Sequence, residues 1–203
     1  MERIAVRTDV LAFAHCQHVI SRVVVEQGRQ ALRVELAPGL GPEAVFQKPT
    51  FVITSAHLTD GIIEADVLAR RSRNALPVSK ASAGLAYRIT GSGQVFEAVY
   101  LRPMSGHPMK PTPPLDRQAV QYFAFPDASR SKAHDPTCAA GADVRPDTWI
   151  KLKLEIKERS VKAYIDGVLV LEVQSKVSPA NGAVGLWVDI GTEAYFSNLH
   201  VTA

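Results

Sequence analysis

Seven residues carry most of the chemistry this sequence offers: Glu64, Arg88, Glu97, Tyr100, Arg102, Tyr122 and Trp187. Glu64, Arg88 and Arg102 supply charge, and Tyr100, Tyr122 and Trp187 supply planar apolar faces. Sugars are recognised by this mixture. Their C–H faces stack on aromatic rings, while their hydroxyls take fork-like bonds from guanidinium and carboxylate groups. The densest stretch is 83–103, which holds Tyr87, Arg88, Glu97, Tyr100 and Arg102. Glu64 and Asp66 lie two apart in the run 61–69 and share one face of a strand, with Ile63, Ala65 and Val67 on the other. Each of these residues also has a plainer reading. Trp187 in Gly185-Leu186-Trp187-Val188 packs into a core with or without a ligand. Arg102 can pair with a carboxylate, and Glu64 with Arg88 can be a structural ion pair between neighbouring strands.

The other polar clusters point to less. His134, Asp135 and Cys138 lack a fourth ligand at a recognisable metal spacing, and His107 stands alone in a loop. Asp60, Asp127, Asp135, Asp189 and Asn198 are scattered, so calcium is possible in principle but unsupported by spacing, and no cofactor is expected. No Ser-His-Asp order, nucleophile elbow or glycine-rich phosphate loop is visible. Cys16 and Cys138 leave two options, one disulfide in an oxidising compartment or two unrelated thiols. A formal net charge of +3 is too small to suggest nucleic acid. Arg70, Arg71 and Arg73 form the only dense basic cluster and read as a solvated loop.

The elements that must position these groups are short strands. Leu85, Tyr87 and Ile89 alternate with Ala86, Arg88 and Thr90, and Gly91-Ser92-Gly93 supplies a turn. On the return run 94–102, Val95, Glu97, Val99 and Leu101 share one side and Phe96, Ala98, Tyr100 and Arg102 the other. Both sides are rich, so this strand is expected to be covered on both faces, and the alternation leaves open which one meets the core. A first hairpin runs 21–26 and 30–36 around Gln27-Gly28-Arg29. Further strands are read at 51–54, 118–125, 149–156, 161–165, 168–173, 182–188 and 194–201, and Asp166-Gly167 is a strong hairpin turn. The run 10–14 is either a helical turn or a first strand. The segment 103–117 holds five prolines and reads as a long ordered loop, a site wall or partner arm. A second long loop runs 127–146.

That gives about eleven to thirteen strands and no helical period. At 203 residues, 46% apolar and 21% charged, the chain is expected to be one all-β sandwich domain over 1–203. No stretch approaches the roughly 20 apolar residues of a membrane span. The first sixteen residues lack the pattern of a signal peptide, so a cytoplasmic location is the default expectation.

The motif order then resembles the concanavalin A-like, or laminin G-like, jelly-roll superfamily. The carriers are residues 60–67 (DGIIEADV), 84–88 (GLAYR), the strand 149–156, 161–167 (VKAYIDG), 181–187 (NGAVGLW) and 195–198 (YFSN). The resemblance implies a jelly-roll sandwich of two antiparallel curved sheets, with ligands on the concave face or its rim loops. It does not select among lectins, adhesion modules, sugar-binding accessory domains and glycosidases. Glycosidases of the laminarinase type carry E-x-D-x-x-E on one strand, whereas here Glu64-Ala65-Asp66 is followed by Ala69 in the third acidic place. The leading expectation is therefore lectin-like binding of a carbohydrate or similar polar ligand on the concave face, without recognisable catalysis. One alternative is a glycoside hydrolase or lyase using Glu64 or Glu97. Another is a protein-interaction module using the loop 103–117.

Overall fold

The computed structural model describes residues 3–5, 15–40, 49–126 and 135–203. The run 10–14, Asp127 and His134 lie outside the described residues. The strands are β1 (Arg3–Ala5), β2 (His15–Gln17), β3 (Val19–Glu26), β4 (Arg29–Leu36), β5 (Phe51–Leu58), β6 (Gly61–Arg71), β7 (Ala83–Thr90) and β8 (Val95–Leu101). They continue with β9 (Val120–Phe125), β10 (Ala139–Ala140), β11 (Ile150–Lys157), β12 (Ser160–Ile165), β13 (Val168–Gln174), β14 (Gly182–Val188) and β15 (Thr192–Thr202). Among the described residues these form two antiparallel sheets. The eight-stranded sheet runs β13-β12-β11-β6-β15-β4-β3, with β1 also on β15, and the seven-stranded sheet runs β10-β9-β8-β7-β14-β5-β2. No described helix is long and apolar enough to cross a membrane.

Alternation builds the space between the sheets. Ile150, Leu152, Leu154 and Ile156 of β11 face inward with Ile63, Ala65 and Val67 of β6, and meet Leu85, Val99, Leu101, Val120 and Leu186 from the opposite sheet. Each fully buried side chain of this size contributes roughly 1.5–3 kcal/mol. The open question on β8 is settled by this packing. Val99 and Leu101 belong to the inter-sheet core, while Phe96 and Ala98 belong to a second apolar cluster on the outer face of the seven-stranded sheet. Asp166 and Gly167 both take positive φ (49° and 88°), the geometry that their hairpin turn requires.

One local slip redirects the hairpin. Alternation alone puts Leu85, Tyr87 and Ile89 on one face, but the register shifts between Tyr87 and Thr90, and Arg88 takes a φ of +51°. Leu85 and Tyr87 stay between the sheets, whereas Ile89 joins the outer cluster. Arg88 is turned inward and reaches four partners at one end of the sandwich. It donates to Thr59 O at 2.9 Å, Glu158 O at 2.6 Å, Glu97 Oε2 at 3.2 Å and Asp60 Oδ1 at 3.2 Å. The turns entering β6 and β12 are in the eight-stranded sheet, so this one guanidinium ties the two sheets together.

The expected solvated loop at Arg70, Arg71 and Arg73 is corrected for its first two members, which end β6. Arg70 pairs with Glu26, Asp147 and Glu193, and its guanidinium lies 4.8 Å from the Tyr195 ring centroid. Carboxylates from three elements converge on this cation, so its charge is neutralised within the sheet's outer face.

Candidate functional site

The expectation that Glu64, Arg88, Tyr100 and Arg102 form one binding surface is corrected by their placement in three different parts of the fold. Glu64 lies on the outer face of the eight-stranded sheet, where Lys151 Nζ sits 3.1 Å from its carboxylate. The neighbour on that face is Asp66, which accepts from Arg29 at 2.9 Å and from Asn198 at 2.7 Å. Arg88 and Glu97 lie between the sheets, 1% and 0% exposed. Tyr122 is also between the sheets and donates its hydroxyl to Glu97 Oε1 at 2.7 Å. Burial and the adjacent Glu97 push the Tyr122 phenol well above the usual tyrosine range. This hydroxyl therefore stays protonated and serves as a fixed donor. Glu64 and Glu97 belong to different sheets, so they do not face one another as a pair of carboxylates would across a scissile bond.

Tyr100, Arg102 and Trp187 do come together, on the outer face of the seven-stranded sheet. The register runs Gln121, Tyr100, Gly84, Trp187 and Phe51 in one row across β9, β8, β7, β14 and β5. Gly84 is the middle member, and its bare Cα lets β7 and β8 approach. A Cβ there would lie 2.2 Å from Val99 O and 2.4 Å from Tyr100 Cα. The gap lets the rings of Tyr100 and Trp187 meet with centroids 4.8 Å apart. Phe123 joins both, at 5.7 Å from Tyr100 and 5.4 Å from Trp187. The next row, Phe123, Ala98, Ala86, Gly185 and Ile53, is small in its middle, which leaves room for these rings to lean over the sheet. Trp187 is buried and acts as a buttress, while Tyr100 keeps a partly exposed ring.

Polar groups gather at the end of this face. The Tyr100 hydroxyl donates to Gln121 Oε1 at 2.7 Å, and Arg102 Nη1 donates to Gln118 Oε1 at 2.6 Å. The backbone locks the neighbouring segments to this end: Arg102 N–H donates to Ala119 O (2.7 Å), Met104 N–H to Lys80 O (3.2 Å) and Asp189 N–H to Ser82 O (2.9 Å). Arg102 is half-buried. Burial lowers its pKa, against the opposing pull of Tyr100 and Asp189. Lys80 is lowered too, first by burial and then by the charges of Arg102 and Arg71.

The proline-rich segment walls this end. It is packed in short 3-10 turns at Pro103–Ser105, His107–Met109 and Leu115–Arg117. Gly106 is pressed so closely on the neighbouring loop that a Cβ would lie 1.7 Å from Val144 O. His107 Nδ1 lies 3.2 Å from Asp143. The other acidic residues considered for calcium have protein partners. Asp60 accepts from Arg88 and from Glu158 N–H, and Asp135 accepts from Thr137. Among the described residues no three His, Cys, Asp or Glu side chains are grouped to hold a metal ion. The Cys138 thiol is free and its pKa is raised by burial.

Sequence reasoning missed Gln121, Phe123, Gln118 and Lys80, and weighed Asp189 only among scattered acidic residues for calcium. Gln121, Phe123 and Phe125 alternate with Val120, Tyr122 and Ala124 along β9, so the first two were legible as one face. Lys80 and Asp189 sit beyond strand ends, where no periodicity marks them.

Among solved structures, the chain is similar to the carbohydrate binding module CBM66 from Bacillus subtilis. The identity is 15% over 93% of this chain and 98% of that one, with a TM-score of 0.58. It is similar also to a Bacillus subtilis protein of unknown function with a galectin-like fold, at 14% identity over 99% and 94%, TM-score 0.57. A Bacillus licheniformis beta-glucanase aligns at 10% identity over 94% and 98%, TM-score 0.51. No protein-family model and no curated protein matches the chain. At these identities the likeness defines the fold: a concanavalin A-like jelly-roll sandwich of two antiparallel sheets.

Proposed function

We propose that the protein binds a carbohydrate at the polar end of the seven-stranded sheet's outer face. The observation that carries this reading is the row Gln121–Tyr100–Gly84–Trp187, in which a partly exposed aromatic ring is buttressed by a second ring and flanked by amide and guanidinium groups. A sugar ring laid on Tyr100 stacks its C–H face there, and its hydroxyls meet Gln121 and Arg102. The ring needs no reorganisation to receive it, because Trp187 and Phe123 already fix its tilt. Two of the similar structures, a carbohydrate binding module and a beta-glucanase, support a saccharide as the ligand class.

A glycan array on the purified protein, with and without calcium, tests the reading. Coherent hits that Tyr100→Ala weakens at least tenfold support it, provided that Glu64→Ala, on the other sheet, leaves them unchanged. Hits that survive Tyr100→Ala, or a blank array in both conditions, refute it.

A further inference from the structure

We propose that the saccharide received at this end carries an anionic group, a carboxylate or a sulfate, taken by Lys80 together with Arg102. The inference rests on the carbohydrate reading and narrows its ligand class. Three cations, Arg71 at the end of β6, Lys80 in the loop after it and Arg102 just past β8, are tied together by hydrogen bonds to the 79–80 backbone. Lys80 O accepts from Met104 N–H two residues past Arg102, and Arg71 Nε donates to Ser79 O at 2.9 Å. Asp189, whose N–H donates to Ser82 O at 2.9 Å, is the carboxylate whose charge acts on Arg102. The cations are unequally engaged. Arg71 also donates to Pro77 O, and Arg102 Nη1 is held by Gln118. Among the described residues, Lys80 Nζ has no hydrogen-bond or ion-pair partner. Burial and its two cationic neighbours both disfavour its charge, so the ammonium is held half-buried against repulsion. A bound anion would relieve that repulsion and take the free donors, whereas a neutral sugar would leave the repulsion in place. This is an asymmetry in affinity that discriminates between otherwise similar ligands.

The test uses matched pairs measured by calorimetry on the full chain: tetragalacturonate against its methyl ester, and a sulfated galactan oligosaccharide against its desulfated form. In about 50 mM salt the anionic member of at least one pair is expected to bind about tenfold tighter, ~1.4 kcal/mol. The preference should shrink as salt is raised. Lys80→Gln should remove most of it without weakening the neutral partner, and Lys80→Arg should restore it. The pair that responds distinguishes carboxylate from sulfate. Equal binding of charged and neutral partners, or a preference that survives Lys80→Gln, overturns the inference and leaves the carbohydrate reading standing. If no oligosaccharide of either charge binds here and the glycan array is also blank, the carbohydrate reading falls and the inference with it.

Discussion

Removing the Arg88 guanidinium should unfold the protein far more readily than it should affect any ligand. Arg88→Met keeps the length of the side chain and makes the same demand on the backbone at φ +51°. It strips partners from Thr59 O, Glu158 O, Asp60 and Glu97. These losses are unequal. The Asp60 side chain is 45% exposed, so water takes over its bond and little stability is lost there. Glu97 is fully buried and would keep only the Tyr122 hydroxyl as a donor. An uncompensated buried charge costs about 3–5 kcal/mol. For a chain of this size, 1 kcal/mol moves Tm by about 2–4 °C, so the expected fall is about 6–20 °C.

Thermal unfolding followed by circular dichroism measures this directly. The double variant Arg88→Met/Glu97→Gln should recover at least half of the loss, because it removes the stranded charge and keeps an amide within reach of Tyr122. A drop under about 3 °C for Arg88→Met, or a double variant as unstable as the two single losses added, would refute the reasoning. The folded fraction of Arg88→Met should still bind whatever the wild type binds, since Tyr100 and Arg102 lie on the opposite face of the strand pair.

Gly84→Ala should cost about 1–3 kcal/mol, since the new methyl group meets Val99 O and Tyr100 Cα rather than a movable side chain. Near-ultraviolet circular dichroism should show the Tyr100–Trp187 contact disturbed, and an unchanged spectrum with unchanged Tm would contradict the close approach. On the other sheet, burial alone would raise the Glu193 pKa, but hydrogen bonds from Tyr195 and Arg70 and the charges of Arg70 and Arg33 outweigh it and hold it below its ordinary value. A carboxylate depressed in this way stabilises the fold above its unfolded pKa and loses that contribution as pH falls through the folded one. Arg70→Met should therefore cost about 1–3 kcal/mol at pH 7 and visibly less near pH 3, read from urea midpoints; an equal cost at both pH values would contradict it.

Much of the fold was legible because alternation is a strong constraint when one face must be buried. Ile150, Leu152, Leu154 and Ile156 admit a single inward face, and Asp166-Gly167 fixes the hairpin that follows. The site was only partly legible, for two physical reasons. A strand's period says which residues share a face but not which sheet a face belongs to, so Glu64 and Tyr100 looked like neighbours although a whole core separates them. A bulge also inverts the alternation beyond it, and nothing in Tyr87-Arg88-Ile89-Thr90 announces that Arg88 takes a left-handed conformation. Arg88 read as a ligand group because alternation put it opposite Tyr87. The slip turned it inward, where its four bonds made it a structural tie.

The same slip explains why the two faces of β8 have different work. With Arg88 turned between the sheets, Glu97 is neutralised there and Tyr122 is fixed as its donor, so the inward face of the hairpin carries the polar tie within the core. The outward face is then left without a carboxylate of its own along β8: Phe96, Ala98, Tyr100 and Arg102 present aromatic surface and a cation. Around its polar end the charge of Asp189, just past β14, acts on Arg102, and the charges of Arg102 and Arg71 act on Lys80. Lys80, whose charge is disfavoured by burial and by Arg102 and Arg71, is therefore the residue on which the proposed preference for a ligand with a C–H face and a negative group rests.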